Sequence, residues 1–407
     1  MTHDPWLTIV GIGEDGWEGL SQPARAAVLD ADMVIGGKRH LAMIPERGNT
    51  RSWPSPIKSY LDKVLERRGK STCVLASGDP MFYGVGARLA RLVPRGEIRI
   101  FTHLSAYALI CAAMGWSEPD SVLVTACGRP VEQLNRALFD GAQIVFYSAD
   151  ETTPAKAMAL LKQRGFGSSR ITLFENIGGP GEARHDFTPE TFPAGTEFSR
   201  LNALAMECIA NPGAAIYATI PGLPESAYQT DGQITRRDIR AAVLARLSPH
   251  PGEVLWDIGA GSGSISIEWM RAAHRARAIA VEPEPARAER IAINAASLGV
   301  PKLKIVTAKA PGALDDLPAP DAIFIGGGLS EKSLLETCWA ALKPGGRLCA
   351  NGVTLEAESR LFTAMQNYGG EMSRIETARA EPLGHFMGWK PARPVTIWSV
   401  NKPQESI

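Results

Sequence analysis

The segment that most constrains the fold of this chain is a short apolar run followed by closely spaced glycines. Val254–Ile258 is apolar except for Asp257, and glycines follow at positions 259, 261 and 263. An apolar-periodic pattern typical of a helix then begins. This order predicts a strand, a tight turn and a helix, in which glycine lets the backbone approach a nucleoside-bearing ligand. Because the segment begins only at residue 254, a further domain must precede it.

The length and composition of the chain indicate two globular α/β domains. The chain has 407 residues, which exceeds the usual size of one hydrophobic core. Its 45% hydrophobic and 21% charged residues are ordinary for a globular protein. Strand-like runs alternate with helix-like runs throughout, which is typical of parallel α/β architecture.

Charge, the N-terminal residues and the cysteines exclude several classes of protein. Basic and acidic residues both number 43, so the formal net charge is zero and a strong basic field for nucleic acid is absent. Neither a leader pattern nor a run of about 18 apolar residues appears, so we expect no signal peptide and no membrane span. The six cysteines are scattered without a CxxC pair, which favours reduced thiols in or near the core over disulfides or a metal site. We therefore expect a cytoplasmic protein that binds neither nucleic acid nor membrane.

Short apolar runs predict the strands, and a stretch rich in proline and glycine divides them into two groups. Those of the first group are Trp6–Val10, Met33–Ile35, Cys73–Ala76, Ile98–Phe101, Val122–Thr125, Ile144–Tyr147, Ile171–Phe174 and Leu201–Cys208. After a helix over Arg237–Leu247, those of the second lie near Glu253–Ile258, Ala278–Glu282, Leu303–Thr307, Ala322–Ile325, Gly346–Asn351, Ser373–Ala378 and Val395–Val400. We therefore predict a first domain over residues 1–215, a linker over 216–234 and a seven-stranded sheet domain over 235–407.

The glycines after Asp257 fit a nucleoside site better than a dinucleotide site. A dinucleotide fingerprint requires GxGxxG, whereas here the third glycine comes one residue early, at Gly263. The next strand ends at Glu282, whose carboxylate can accept both ribose hydroxyls of an adenosine. Asp257 either holds the loop or meets the cationic end of the ligand through a water. Alone, the glycine loop could be a packing turn. The neighbouring motifs therefore decide between a packing turn and a ligand-binding loop.

Four motifs in this order resemble the class I S-adenosylmethionine-dependent methyltransferases. They are the Asp257–Gly263 loop, Glu282, the strand Asp321–Ile325 and the turn Leu342-Lys-Pro-Gly-Gly346. The resemblance implies a Rossmann-like domain that binds S-adenosylmethionine through Thr235, Asp257, Gly259, Ala260, Gly261, Ser262, Gly263 and Glu282. The chain departs from the family after the third strand, where Lys309 replaces a frequent acidic residue. Backbone around Ala310 is then expected to hold the adenine, and Lys309 either contacts the ligand or points to solvent.

The first domain carries a different glycine pattern. Gly11-Ile-Gly13-Glu-Asp-Gly16 matches GxGxxG, but the next strand, ending at Ile35, has no carboxylate for a ribose, which disfavours NAD. Gly78-Asp79-Pro80 follows a later strand and forms a turn that can present carbonyls and a carboxylate to a ligand. These features resemble the tetrapyrrole methylases, the class III S-adenosylmethionine-dependent methyltransferases. That family has two α/β lobes, with cofactor and macrocycle held between them.

The tetrapyrrole methylase resemblance also implies site residues in the first domain. Gly78 and Asp79 would border the cofactor, and Ser105 would belong to a second cofactor loop. The family often has Pro-Gly-(Val/Ser)-Ser-Ser in that loop, and this chain reads His103-Leu-Ser-Ala106 instead. Arg129 either meets a substrate carboxylate or stays at the surface, and Glu175-Asn176 either meet the ligand or stabilise their own loop.

A class III domain followed by a class I domain resembles the fused methyltransferases of cobalamin biosynthesis. The resemblance implies that a reduced precorrin-6 intermediate is methylated at C5 by the first domain and at C15 by the second. It further implies loss of the C12 acetate carboxyl, which gives precorrin-8, and a homo-oligomer. The meso carbon of the macrocycle is itself the nucleophile, so positioning can supply much of the rate, and a poised acid would help decarboxylation.

The candidate catalytic residues all belong to the second domain. They are Arg240, Asn351 and His385, beside the glycine loop Gly326–Ser330 that follows the fourth strand. The three glycines either admit a flat macrocycle or form a flexible turn. His385 has a titration range suited to proton transfer, although a lone histidine is more often structural.

Three alternative functions remain at this point. An NAD oxidoreductase using the Gly11–Gly16 loop lacks the second-strand carboxylate. A class I methyltransferase acting on RNA or protein, with the first domain as a binding module, would carry an Asn-Pro-Pro-Tyr-like segment after the fourth strand, where this chain has Gly326-Gly-Gly-Leu. A non-enzymatic regulatory binder is not required by any feature of the sequence.

Overall fold

The computed structural model describes residues 5–54, 60–193, 195–331 and 333–404. It divides the chain into two compact units. The first comprises Met1–Val131 and Phe139–Ala214, and the second comprises Glu132–Leu138 and Ala215–Ile407. Residues 216–234, which the sequence predicts to be a linker, therefore lie within the second unit.

The first unit contains two five-stranded sheets, in agreement with the predicted two-lobed α/β domain. Strands β1 (Leu7–Ile12), β2 (Met33–Gly36), β3 (Thr50–Ser52), β4 (Thr72–Ser77) and β5 (Ile98–Phe101) form a parallel sheet in the order β3-β2-β4-β1-β5. Strands β6 (Val122–Thr125), β7 (Gln143–Tyr147), β8 (Arg170–Glu175), β9 (Ala183–Phe187) and β10 (Asn202–Glu207) form a mixed sheet in the order β6-β7-β10-β8-β9. Only the β6–β7 pair of this mixed sheet is parallel.

Seven helices belong to the described residues of the first unit. They are α1 (Gly16–Gly19), α2 (Gln22–Leu29), α3 (Lys38–Leu41), α4 (Leu61–Leu65), α5 (Val85–Leu89), α6 (Ala106–Met114) and α7 (Thr153–Gln163). Two of these helices follow a serine whose hydroxyl accepts a hydrogen bond from a backbone N–H of the first turn. Ser21 does so for α2 and Ser105 for α6. This capping fixes where α6 starts, directly after the strand end that carries the predicted cofactor loop.

The second unit is built on one seven-stranded sheet, as predicted. Its elements in chain order are α8 (Arg237–Leu247), β11 (Val254–Ile258), α9 (Ser264–Ala272), β12 (Arg277–Val281), α10 (Pro285–Ser297), β13 (Lys304–Val306), β14 (Ala322–Ile325), α11 (Leu334–Ala341), β15 (Arg347–Gly352), α12 (Leu355–Tyr368), β16 (Glu371–Ile375), β17 (Ala378–Leu383), β18 (Phe386–Pro391) and β19 (Val395–Asn401). The strand order is β13-β12-β11-β14-β15-β19-β16, with β17 and β18 forming a separate hairpin. Strand β19 runs antiparallel to both of its neighbours.

The central strands of this sheet are buried because helices cover both faces. Every residue of β11 is buried, which explains why its sequence is nearly continuous in apolar side chains. Trp256 of β11 and Trp398 of β19 lie in the core on one side of the sheet, and Trp269 of α9 lies in the core on the other. The carboxyl ends of β11, β12 and β14 therefore meet at one edge on a rigid support.

The strands that the sequence analysis missed are exposed or polar. Strand β3 has three residues, β9 alternates between half-buried and exposed positions, and nearly every residue of the β17–β18 hairpin is exposed. Such strands bury too little apolar surface to leave a pattern. Strand β16 begins and ends a few residues before the predicted Ser373–Ala378.

Membrane-spanning helices and disulfides are both absent from the part of the chain that the structure describes. None of its helices is both long and apolar enough to cross a bilayer. All six cysteines are free, and all but Cys127 are buried. The prediction of reduced thiols in or near the core is thus confirmed for the five buried ones.

One buried carboxylate holds the entry segment of the second unit against its sheet domain. Glu268 of α9 accepts hydrogen bonds from the backbone N–H groups of Gly222 (2.6 Å) and Leu223 (3.1 Å) and from the hydroxyl of Tyr228 (2.8 Å). It also pairs with the guanidinium of Arg240 at 2.6 Å, and neither side chain is more than 1% exposed. Residues 222–228 are therefore packed structure of the second unit rather than a free connector.

We predict that Glu268→Gln destabilises the second unit strongly. The substitution leaves the guanidinium of Arg240 buried without its charge partner, and breaking a buried pair in this way costs about 3–5 kcal/mol. Urea denaturation of the full chain measures the loss as a shift in the transition midpoint. Glu289→Gln, at an exposed position of α10, is the control. Equal midpoints for the two variants would contradict the prediction.

Candidate active site

A cavity of about 830 Å³ lies at the carboxyl ends of the central strands of the second unit. Its floor comes from the loop after β11, its sides from the ends of β12, β14 and β15, and a further wall from residues 232–236 before α8. In parallel sheets this edge is where ligands bind, because strand order reverses there and leaves a crevice.

The floor of the cavity consists of backbone because no side chain fits there. Gly259 and Gly261 have φ angles of +70° and +59°, a region that side chains rarely adopt. A Cβ on Gly259 would lie 2.8 Å from the backbone nitrogen of Gly327, and one on Gly261 would lie 3.0 Å from the carbonyl oxygen of Gln233. The glycine loop thus sits in close contact with the loop after β14 and with the entry segment.

Glu282 presents a fixed carboxylate to this cavity. The residue is 2% exposed and lies directly after β12. Its two oxygens accept hydrogen bonds from the backbone N–H groups of Gly261 (2.8 Å) and Glu284 (3.1 Å). A carboxylate has about four acceptor sites, so capacity remains for ligand hydroxyls. The same group therefore orders the glycine loop and can receive a diol.

Asp257 lies behind the glycine loop, not on the cavity. It is 1% exposed and accepts hydrogen bonds from the backbone N–H (3.0 Å) and the hydroxyl (2.7 Å) of Ser266 at the start of α9. Of the two roles left open for it, the structure shows the first, which is to hold the loop. Burial is the main cause that raises the pKa of Asp257 to about 6, and the nearby Glu282 adds to it.

Ser262 and Gly263 also support the loop from behind and are not among the lining residues, so their contact with the cofactor stays a prediction. The carbonyl oxygen of Ser262 accepts a hydrogen bond from Asn294 of α10 at 3.0 Å. Gly263 is the N-cap of α9, and a Cβ there would lie 2.8 Å from the side chain of Ile291. The Ser262 carbonyl and Gly263 thus both contact α10, at the point where the chain begins α9.

Other predicted residues do line the cavity. Thr235 stands on the wall before α8, Ala260 on the floor and Ala310 beyond the end of β13. Asn351 of β15 lines the opposite side, and its buried side-chain oxygen has no hydrogen-bond partner in the described part of the chain. The side chain of Lys309 is 71% exposed and forms an ion pair with Glu331 at 2.7 Å. The structure therefore brings together six of the nine cofactor residues predicted in the second domain and one of the three catalytic candidates.

The other two catalytic candidates, Arg240 and His385, are not on the cavity. Arg240 is completely buried and donates to Glu268 and to the carbonyl oxygens of Leu223 and Thr235. Its guanidinium is thereby committed to the core, and we correct its predicted role to a structural one. His385 lies in the exposed turn between β17 and β18, beyond the hairpin base that lines the cavity. His385 is therefore not among the residues that line this cavity.

The predicted loops of the first unit meet at the carboxyl edge of its parallel sheet. A Cβ on Gly78, whose φ is +53°, would lie 3.0 Å from the carbonyl oxygen of Leu104, next to Ser105. Asp79 accepts a hydrogen bond from the N–H of Met81 at 2.8 Å, and the hydroxyl of Ser105 caps α6 at 3.1 Å. The predicted residues Gly78 and Ser105 are thus adjacent. The side chains of Asp79 and Ser105 shape their own loops.

Gly11 and Gly13 of the first glycine pattern permit close packing of these same loops. A Cβ on Gly11 would overlap the carbonyl oxygen of Gly78, and one on Gly13 would lie 2.8 Å from the ring of His103. These contacts explain the GxGxxG match without a dinucleotide. The close approach places the turn after β1 directly against the two predicted cofactor loops.

Two open questions about the first unit are answered in part. Glu175 accepts from the N–H of Ser199, and Asn176 donates to the carbonyl oxygen of Gly181 at 3.1 Å, so this pair stabilises its own loop. The guanidinium carbon of Arg129 lies 4.9 Å from the ring centre of Tyr83. Tyr83 is 58% exposed and has a φ of +57°, which is strained for an aromatic residue.

Sequence reasoning missed Arg236 and Arg393, which line the cavity of the second unit. Arg236 directly follows Thr235, so its position could have been inferred from that neighbour. Arg393 follows a hairpin whose strands left no sequence signal, and its location depends on tertiary structure.

The fold and the cavity together define a class of protein. A sheet of this order, with a glycine floor beside an acidic strand end, is the arrangement of a class I methyltransferase domain. Sequence profiles agree: one described as "Precorrin methyltransferase domain" matches residues 226–402, and one described as "Tetrapyrrole (Corrin/Porphyrin) Methylases" matches residues 6–191.

Full-length relatives make the assignment more specific. A Sinorhizobium protein named precorrin-6Y C(5,15)-methyltransferase (decarboxylating) is 44% identical over 98% of this chain and 97% of its own length. A Mycobacterium tuberculosis protein of the same name is 37% identical over 97% of this chain and 100% of its own. A crystal structure of the C-terminal domain of the Rhodobacter capsulatus precorrin-6Y C5,15-methyltransferase is 47% identical and covers 46% of this chain and 100% of that one, with a TM-score of 0.44. The two full-length relatives show that the chain belongs to the precorrin-6Y C5,15-methyltransferase (decarboxylating) family.

We predict a pH-dependent stability difference between the parent chain and Asp257→Asn. A folded-state pKa raised from 3.8 to about 6 means that the charged form is destabilised on folding, fully so above pH 6. This penalty fades as the pH falls from 6 towards 4, where the buried carboxyl is protonated. The melting temperature of Asp257→Asn, relative to the parent, should therefore rise between pH 4 and pH 7.

Calorimetric scans in the absence of ligand measure this difference. A two-unit shift corresponds to about 3 kcal/mol at most. Asp316→Asn, at an exposed position, serves as the matched control. A difference between Asp257→Asn and the parent that does not change with pH would rule out a charged, buried Asp257.

Proposed function

We propose that this chain catalyses two methyl transfers and one decarboxylation on a reduced precorrin-6 intermediate in cobalamin biosynthesis. Methylation takes place at C5 and C15, and the C12 acetate side chain loses its carboxyl group as CO₂ to give precorrin-8. The observation that carries the proposal is the glycine-floored cavity beside Glu282, on a chain whose other unit is a tetrapyrrole methylase domain.

The residues of the cavity fit S-adenosylmethionine. When bound, this cofactor supplies an electrophilic methyl group for an in-line displacement. Glu282 accepts the ribose hydroxyls, and the backbone floor at Gly259 and Gly261 admits the nucleoside without a side chain in the way. Backbone at Ala310, beyond the end of β13, contacts the adenine, since Lys309 is directed to Glu331.

The substrate occupies the remaining part of the cavity. The loop Gly326–Gly328 lines it with backbone, which lets a flat macrocycle approach closely. The unpartnered oxygen of Asn351 accepts a hydrogen bond from a pyrrole N–H and so orients the ring. The electron pair left by departing CO₂ is delocalised into the conjugated macrocycle and then takes up a proton from solvent, which leaves a methyl group at C12. Binding and orientation are therefore the main tasks of the protein.

We assign methylation at C15 and decarboxylation to the second unit and methylation at C5 to the first. The adjacency of Gly78 and Ser105 at the carboxyl edge of β4 and β5 supports a second methyl-donor site there. Each chain then binds two cofactor molecules. A cytoplasmic location and a homo-oligomeric state stay predictions.

We predict that Glu282→Gln weakens one of two cofactor sites. Calorimetric titration of the full chain with S-adenosylhomocysteine should give two sites, and the variant should keep only the site of the first unit at high affinity. Affinity at the second unit should fall at least about tenfold, because a charged acceptor of two hydroxyls is lost. Glu284→Gln, at an exposed neighbouring position, should retain both sites. Two unchanged sites in Glu282→Gln would contradict this placement of the cofactor.

The proposed reaction is tested by mass spectrometry of the product formed from the reduced tetrapyrrole and S-adenosylmethionine. The expected product has gained two methyl groups and lost one CO₂. A chain that binds S-adenosylhomocysteine but leaves the macrocycle unchanged would disprove the function. Transfer of labelled methyl groups to RNA or protein instead would support the alternative methyltransferase.

A further inference from the structure

The basic side chains that line the cavity of the second unit divide into two kinds. Arg287 pairs with Asp231 at 3.0 Å, and Lys309 pairs with Glu331 at 2.7 Å. Arg236 and Arg393 line the same cavity, and no carboxylate of the described residues pairs with either. Both are exposed. Two of the four positive charges at the cavity are thus neutralised within the protein, and two remain free to face a ligand.

Both unpaired arginines extend from fixed backbone. Arg236 is the N-cap of α8, and the carbonyl oxygen of the preceding Thr235 accepts a hydrogen bond from the buried Arg240 at 2.5 Å. Arg393 follows the base of the β17–β18 hairpin, which is closed by a hydrogen bond from the N–H of Ala392 to the carbonyl oxygen of Thr377 at 2.8 Å. Pro394 restricts Arg393 further. Binding an anion therefore costs only side-chain freedom at these two positions.

A guanidinium group recognises carboxylates with two parallel hydrogen bonds, which gives it both affinity and geometric selectivity. We propose that Arg236 and Arg393 form a carboxylate-binding subsite that holds acetate or propionate arms of the macrocycle during the reaction of the second unit. This inference rests on the function proposed above. It accounts for binding of a polyanionic substrate by a chain of zero net charge, since two guanidinium groups at the cavity have no acidic partner among the described residues.

The cofactor offers a competing carboxylate, on its amino-acid part. The two assignments differ in a measurable way, because a cofactor contact would appear in the affinity for S-adenosylhomocysteine and a substrate contact would not. Arginine-to-lysine variants add a second distinction, since lysine keeps the charge but loses the bidentate geometry.

The experiment measures CO₂ release, which reports only the second unit, from the full chain with saturating S-adenosylmethionine and varied reduced tetrapyrrole. Arg236→Gln and Arg393→Gln should each raise KM about tenfold and leave kcat within about twofold, as expected for loss of a charged hydrogen bond made equally in the ground and transition states. Arg236→Lys and Arg393→Lys should restore part of the affinity. S-adenosylhomocysteine binding should stay unchanged in all four variants.

Arg275→Gln is the matched control, since this exposed arginine lies before β12, at the opposite edge of the sheet. If Arg236→Gln and Arg393→Gln match this control in KM, the subsite is refuted while the proposed function stands. Weakened S-adenosylhomocysteine binding also overturns the subsite, because the arginines would then hold the cofactor. If the parent chain binds S-adenosylhomocysteine but releases no CO₂, the proposed function fails, and the subsite fails with it.

Discussion

The ion pair between the buried side chains of Glu268 and Arg240 is the interaction on which the arrangement of the second unit depends. The carboxylate of Glu268 lies on α9 and is compensated by donors from the entry segment and by Arg240 of α8. A charge placed in the core is tolerated only when it is paired and hydrogen-bonded, so these elements are stable in one mutual arrangement. The guanidinium of Arg240 also donates a hydrogen bond to the carbonyl oxygen of Thr235, and this bond fixes the position of Thr235 on the cavity wall.

The first turn of the same helix supports the cavity floor. Asp257 binds the backbone and side chain of Ser266, and Glu282 binds the N–H of Gly261. The floor and the wall of the cavity are thus both held in place by hydrogen bonds to α9, α8 and the ends of the neighbouring strands. A preorganised cavity of this kind suits a reaction in which the reactants are already reactive and the protein must mainly align them.

The basic groups at the cavity differ in whether the protein itself neutralises them. Arg287 and Lys309 are paired with acids and support the local structure, whereas Arg236 and Arg393 are left for ligand. In the proposed function, the backbone glycines bind the nucleoside and the two guanidinium groups bind carboxylates, so that cofactor and substrate occupy different parts of the cavity. Which basic groups are available to a ligand depends on which of them pair with acidic side chains, and the net charge of the chain does not show this.

Local patterns in the sequence predicted the regular elements well where burial was strong. The helix Arg237–Leu247 and the strand Ala322–Ile325 have the predicted bounds, because apolar periodicity and burial coincide there. The β17–β18 hairpin was missed because it is exposed, and Arg393 was missed with it. Among the site residues, Glu282 and the glycines carry a local signature. Arg240 looked catalytic only because a charged residue near a motif gives no sign of its burial.

The sequence by itself determined the α/β class and the glycine loop beside Glu282, since these follow from short-range spacing and backbone conformational needs. The two methyltransferase domains followed from the resemblance of their motifs to known families. Only the tertiary structure decided which charged residues are in the core and which face the cavity. It placed Arg240 and Asp257 behind the site, His385 away from it, and Arg393 on its rim. The physical reason is that the burial and pairing of a charge depend on residues distant in the chain, such as Glu268 for Arg240, and spacing along the sequence does not encode that contact.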